Sequence, residues 1–260
     1  ASQLSDGASE LTDGSAQLAS SLDDAAAQTP SSDPADNAAA ADALGSPVSI
    51  EETNANPAGV YGRGLAPFFF AIALWVFGMV AYLLLRTVNP RALAGKVSAL
   101  NVALGGWLPA AGLGAAGAVV LYVVADLGLG LNPQNALGTI GLCALGVAAF
   151  TALAHLLRVA FGAAGGVLIL VLLMLQLTSA GGLYPMETAP AFFRALHPIM
   201  PMTYFVDGMR ATISGGYSAR LWLDVAVLAA FAVGAVAAST VLIMRQRQWT
   251  MTRLRPGVSL

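Results

Sequence analysis

The chain has 260 residues, of which 57% are hydrophobic and only 10% are charged. Soluble domains carry about 25% charged residues, so this composition excludes an ordinary soluble globular domain. It indicates a protein with several membrane spans. The single cysteine, Cys143, excludes an intrachain disulfide.

Residues 1–28 carry a heptad repeat. Two sets of residues recur at the spacing of coiled-coil seam positions: Leu4, Leu11 and Leu18, followed four residues later by Ala8, Ser15 and Leu22. Glycines inside the repeat cost about 1 kcal/mol each in a helix. We predict the end of a coiled-coil stalk here, and a poorly ordered polar tail is the alternative. Residues 29–60 contain four prolines and are predicted to be a flexible linker.

Five long apolar runs follow, and each is at least as long as the roughly 20 residues that a helix needs to cross a bilayer. They cover residues 65–85, 97–125, 136–157, 162–182 and 223–244. We therefore predict an all-α membrane protein, with a bundle of five transmembrane helices in a domain over residues 61–246.

The charged residues predict the orientation of this domain. With five alternating spans, eight of the twelve basic residues fall on one side, and all fourteen acidic residues fall on the other side or at its margin. The eight are Arg86, Arg91, Lys96, Arg158, Arg245, Arg247, Arg253 and Arg255. By the positive-inside rule, residues 1–64 are extracellular and the basic tail 247–260 is cytoplasmic.

Residues 183–216, between the fourth and fifth runs, are too polar and proline-rich to span a bilayer and too aromatic for a solvated loop. Two amphipathic pieces, 189–197 and 202–214, predict an extracellular re-entrant or interfacial helical hairpin. We expect prolines at its breaks, aromatic rings facing the bundle or the headgroups, and an i,i+3 ion pair at the outer water boundary. A gate or a headgroup site is the alternative for that pair. The candidate site residues of this hairpin are Pro185, Pro190, Phe192, Phe193, Pro198, Pro201, Tyr204, Asp207 and Arg210.

Few groups in the spans point to chemistry. His155 and Arg158 lie near the inner end of the third span, close enough to the interface to extend their polar ends into it. The sequence has no metalloprotease, hydrolase or ATP-binding-loop motif. We therefore expect no enzyme, no cofactor and no metal site, and no nucleic-acid partner.

Several segments together resemble the phage-infection-protein (YhgE/Pip) family. They are the heptads, the approach Tyr61-Gly-Arg-Gly-Leu-Ala-Pro67, the segment Ser179-Ala-Gly-Gly-Leu-Tyr-Pro185 and its continuation through Pro201-Met-Thr-Tyr204 to Gly208-Met-Arg210. The membrane part is similar to the permeases of type-2 ABC exporters. The resemblance implies a multi-pass protein of a bacterial-type plasma membrane and a homodimer. It also implies a further span and a large external domain before Ala1, so we expect this chain to be a fragment.

The resemblance also implies a function. A cytoplasmic loop over residues 87–98, with Pro90, Arg91 and Lys96, would contact a separate ATPase; simple retention of basic residues on the cytoplasmic face is the alternative. The protein would export, or help to assemble, amphipathic, cell-envelope or secreted material. A membrane-anchored scaffold or surface receptor, acting in phage adsorption or a secretion apparatus without transport, is the alternative function.

Overall fold

The structure is a computed structural model that describes residues 2–28, 38, 61–89, 92, 96–215 and 218–246. All regular secondary structure in these residues is helical, which confirms the predicted all-α membrane fold. The chain divides into two units, Ala1–Asn54 and Ala55–Leu260. The predicted tail, Pro90, Arg91 and all of the predicted linker except Ala38 lie outside the described residues.

The first unit contains helix α1, Ser2–Gln28. Its length agrees with the predicted helical heptads, and the glycines do not interrupt it. The seam leucines Leu11, Leu18 and Leu22 are all exposed, Leu11 by 76%. In a coiled coil a partner helix would cover this seam. The coiled coil therefore stays a prediction.

Within residues 61–89, 96–215 and 218–246 of the second unit, the structure has seven further α-helices. They are α2 Tyr61–Leu84, α3 Ala99–Val123, α4 Ala136–Phe161, α5 Ala163–Ser179, α6 Ala191–Leu196, α7 Pro201–Ser214 and α8 Ser218–Gln246. A π-helical turn, Val124–Gly128, extends α3, and 3₁₀ turns at Met186–Thr188 and His197–Ile199 flank α6. In the described part of the chain, four helices are long and apolar enough to cross a membrane, namely α2, α3 with its π turn, α4 and α8.

The fourth predicted span, 162–182, is shorter in the structure. Helix α5 has 17 residues, which corresponds to roughly 26 Å at 1.5 Å per residue, less than a typical hydrocarbon core of about 30 Å. Glycines with positive φ explain the difference, because Gly162 (φ 58°) precedes α5 and Gly181 (φ 64°) follows it.

Hydrogen bonds between helix ends define two ends of the bundle. At one end, Arg63 Nη2 donates to the Asn132 carbonyl (2.7 Å) and Gln134 Nε2 donates to that of Ser214 (2.9 Å). At the other end, Gln246 Nε2 donates to the Val159 carbonyl (3.2 Å). We call these the cap end and the tail end. The start of α2, the α3–α4 connection and the end of α7 meet at the cap end. The ends of α4 and α8 meet at the tail end.

Helix α4 is the centre of the bundle and contacts α2, α3, α5, α7 and α8. Indole N–H groups join neighbouring helices. Trp75 of α2 donates to the Ile169 carbonyl of α5 (3.2 Å), and Trp107 of α3 donates to the Ala148 carbonyl of α4 (3.1 Å). Such bonds matter in a bilayer, where the apolar solvent gives helices little hydrophobic reason to associate.

Candidate functional site

Helix α7 lies inside the bundle rather than on its surface. Nine of its fourteen residues are buried, and it packs against α2, α4 and α8. Phe205 is fully buried, and its ring lies 5.6 Å from that of Phe150 in α4. A Cβ on Gly146 would overlap the Phe205 ring, so this glycine provides the space for it. Helix α7 is therefore enclosed by other helices, as a re-entrant helix would be.

The buried start of α7 needs partners for its free backbone N–H groups. Pro201 at the first helical position removes one such donor. The Met202 N–H donates to Gln176 Oε1 of α5 (3.2 Å), and Gln176 is itself fully buried. Gln176 thus serves as a capping residue supplied by another helix.

The prolines of the hairpin lie at its breaks, as predicted. Pro185 and Pro190 precede the first 3₁₀ turn and α6, Pro198 lies in the second 3₁₀ turn, and Pro201 begins α7. The predicted pieces 189–197 and 202–214 correspond to α6 with its following turn and to α7.

The aromatic residues of the hairpin have different environments. Tyr204 is partly buried, and its hydroxyl donates to the Pro198 carbonyl (2.7 Å). Phe192 and Phe193 pack edge to face at 5.2 Å. Phe192 is exposed, so this ring does not face the bundle.

Charged side chains join α7 to α8 at the cap end. The predicted pair is present, with Arg210 Nη1 3.5 Å from Asp207 Oδ1. Arg220, on α8, lies 3.1 Å from Asp207 Oδ2 and 3.6 Å from Asp224 Oδ1. We call these four residues the ion cluster. The side chain of Asp224 is fully buried, whereas the side chain of its partner Arg220 is 55% exposed.

Arg210 also joins α7 to the end of α5. Its Nη2 donates to the carbonyls of Gly181 (2.7 Å) and Gly182 (3.3 Å). A Cβ on Gly182 would overlap the Phe68 ring of α2, so the loop after α5 is held tightly against that helix. The ion cluster and its carbonyl partners therefore connect α5, α7 and α8.

A second polar group lies at the tail end. His155 is fully buried, and its Nε2 lies 2.8 Å from the Thr87 carbonyl, to which it donates. His155 therefore bonds to the loop after α2 and does not extend into solvent. A Cβ on Gly106 would overlap both groups, so glycine at this position of α3 permits the contact. Arg158 Nη2 donates to the Tyr82 carbonyl (3.2 Å).

Thr87 begins the predicted coupling loop 87–98, so His155 connects the start of that loop to α4. Lys96 of the loop is exposed, whereas Pro90 and Arg91 lie outside the described residues. In the part of the chain that the structure describes, no group of His, Cys, Asp and Glu is arranged to hold a metal ion.

Comparison with known proteins identifies the family of the chain. Residues 3–241 match the family model described as ABC-2 family transporter protein. The uncharacterized protein YhgE of Bacillus subtilis (strain 168) is 29% identical over 184 residues, which cover 69% of this chain and 23% of that relative. The chain thus spans about a quarter of the relative's length, and no solved structure matches it. The resemblance to YhgE/Pip proteins is confirmed, and the chain belongs to the ABC-2 family of transporter proteins.

Proposed function

We propose that the chain is a permease that exports, or helps to assemble, amphipathic or cell-envelope material, and that α7 is the mobile part of its outer gate. Family membership supports the permease role. The observation that carries the gate is the ion cluster, through which Asp207 and Arg210 join the re-entrant helix to α8 and to the end of α5.

The ion pairs of Asp207 are weak enough to break when a gate opens. The side chains of Asp207 and Arg210 are 23% and 41% exposed, and ion pairs this accessible to water contribute about 0.2–1 kcal/mol each. Glycines with positive φ lie at both ends of the hairpin, Gly181 (φ 64°) and Gly215 (φ 90°). They would act as hinges, because glycine accommodates large backbone changes at little steric cost.

The central helix α4 offers a connection from the gate to the tail end. It contacts Phe205 of α7 through Gly146 and Phe150, and it contacts the coupling loop through His155 and Thr87. We propose that a separate ATPase binds the loop at Pro90, Arg91 and Lys96. The chain itself would then hydrolyse no ATP, and a movement of the loop would reach α7 through α4.

In this proposal the cap end is extracellular and the tail end is cytoplasmic, in a bacterial-type plasma membrane, and two chains form a homodimer. The exposed leucine seam of α1 favours a second candidate, in which the membrane unit anchors a stalk that presents a scaffold or receptor. Co-purification of an ATPase that depends on Lys96 distinguishes the two, since the scaffold needs none.

The native cysteine provides a test of the gate. Cys143 is buried beneath α7, with its Sγ 3.8 Å from Met209 Sδ. Asp207→Ala combined with Arg210→Ala should expose it more often and accelerate its reaction with a maleimide. The double variant removes the Asp207–Arg220 pair and the Arg210 bond to the Gly181 carbonyl, which hold α7 to its neighbours. At about 0.5 kcal/mol each, their loss corresponds to a roughly fivefold increase in rate.

Arg194→Ala is the matched control, because it removes an exposed arginine of α6 that belongs to none of the ion pairs described. Its reaction rate should equal that of the unmodified chain. A double variant that folds normally and reacts at the same rate as Arg194→Ala would contradict the gate.

A further inference from the structure

An apolar cavity lies at the cap end between α2 and the end of α3. Its volume is about 500 Å³. Its lining includes Leu65, Phe69 and Ala73 of α2, and Leu121, Leu129 and Leu131 from the other side. Phe69 and Leu129 are exposed, so the cavity opens to the surroundings of the bundle. In a membrane those surroundings are lipid.

Arg63 is the only ionisable residue among the described residues that line this cavity. Its Nη2 donates to the Asn132 carbonyl (2.7 Å), but its Nε is buried without a hydrogen-bond partner in the described part of the chain. A buried donor on a charged group is costly when it is unpaired. The Arg63 guanidinium therefore places a positive charge in the described lining of the cavity.

The carboxylate of Asp126 accepts hydrogen bonds from groups other than Arg63. Asp126 Oδ1 accepts from the Asn132 N–H (2.9 Å), and Oδ2 accepts from the Tyr122 hydroxyl (3.3 Å). Asp126 therefore holds the turn that supplies the Asn132 carbonyl. No carboxylate of residues 61–89, 96–215 or 218–246 forms an ion pair with Arg63.

The position of the charge indicates what fills the cavity. Arg63 lies near the start of α2, and Ala73 lies ten residues further along, about 15 Å deeper at 1.5 Å per residue. An apolar tail gains little by moving from the bilayer into such a cavity, because lipid chains are already apolar. Selectivity would therefore come from the charged end, where a guanidinium forms strong hydrogen bonds with phosphate.

We propose that this cavity binds one anionic glycerophospholipid of the surrounding bilayer, with its phosphate at Arg63 and one acyl chain between α2 and α3. The proposal goes beyond the export role and does not depend on it. A bound lipid would also join α2 to the π-helical turn after α3, where the two helices are separated by the cavity.

Lipid retention tests the site. The full chain is placed in nanodiscs that contain phosphatidylglycerol and phosphatidylcholine, and the lipids it retains are counted by native mass spectrometry. The unmodified chain should retain one phosphatidylglycerol in preference to phosphatidylcholine. Arg63→Gln should reduce that preference about tenfold or more, the effect of losing a hydrogen bond to a charged group. Arg194→Gln, the same charge change at an exposed residue of α6, should leave it unchanged.

Two further variants separate the lipid from other occupants. Arg63→Lys keeps the charge and should retain part of the preference, which also covers the case in which Arg63→Gln does not fold. Ala73→Phe fills the deep part of the cavity and should reduce lipid retention without a change of charge. Equal losses in Arg63→Gln and Arg194→Gln, or no preference in the unmodified chain, would overturn the proposal. Indifference to Ala73→Phe would indicate a simple phosphate site and would also overturn it.

Discussion

The position of α7 inside the bundle can be tested with two glycines of the same helix. Gly146 and Gly141 both lie in α4. A Cβ at Gly146 would overlap two carbons of the Phe205 ring, whereas a Cβ at Gly141 would meet nothing within 4 Å. Replacement by alanine favours the helix by about 1 kcal/mol at either position. The difference between the two variants therefore measures the overlap with Phe205.

Overpacking of a core typically costs about 1–3 kcal/mol. Gly141→Ala should therefore stabilise the protein, and Gly146→Ala should be less stable than Gly141→Ala by about that amount. For a domain of this size each kcal/mol shifts the Tm by roughly 2–4 °C, so the two melting temperatures should differ by about 2–12 °C. Thermal unfolding in the same detergent measures this difference. Equal melting temperatures, or a more stable Gly146→Ala, would refute the placement of Phe205 against α4.

Two contacts between helices and the leucine seam of α1 can also be tested by substitution. Gln176→Leu removes the acceptor of the Met202 N–H and should lower the free energy of unfolding by about 1–3 kcal/mol. Gln246→Leu, at an exposed helix end, should lower the free energy of unfolding by less. A larger loss in Gln246→Leu than in Gln176→Leu would contradict the capping role of Gln176. Changing Leu4, Leu11 and Leu18 to serine in a chain extended by further repeats should lower its helicity by circular dichroism, because a coiled coil needs its seam; unchanged helicity would refute the seam. Gly106→Leu should separate His155 from Thr87 and destabilise the protein, whereas Gly105→Leu, which meets open space, should be tolerated.

The elements of the fold could be predicted because their signals are local. Apolar length predicted the long helices, and each proline of the hairpin marks a break because it fixes φ and lacks an N–H. The early end of α5 was missed, since it depends on positive φ values at Gly162 and Gly181, and the sequence does not show which glycines adopt them.

The environment of the site was harder to predict because it depends on residues distant in sequence. An amphipathic piece such as 202–214 has the same pattern whether its apolar face meets lipid or protein. The decisive residue is Gly146, which is one of many glycines in the spans. Arg220 and Asp224 were predicted only to lie on the outer side, and their pairing with Asp207 required the positions of α7 and α8. Burial of His155 likewise depends on Gly106 in a different helix.

The proposed function requires a fixed orientation of the two ends, because an outer gate and a loop that meets a cytoplasmic ATPase must lie on opposite sides of the membrane. In a Cys143→Ser background, single cysteines replace Thr188 at the cap end and Lys96 at the tail end, both of which are exposed. A membrane-impermeant thiol reagent is applied to intact cells and then to permeabilised cells. With an extracellular cap end, we expect labelling of Thr188→Cys in intact cells and of Lys96→Cys only after permeabilisation. Labelling of Lys96→Cys in intact cells, with Thr188→Cys protected until permeabilisation, would contradict this orientation.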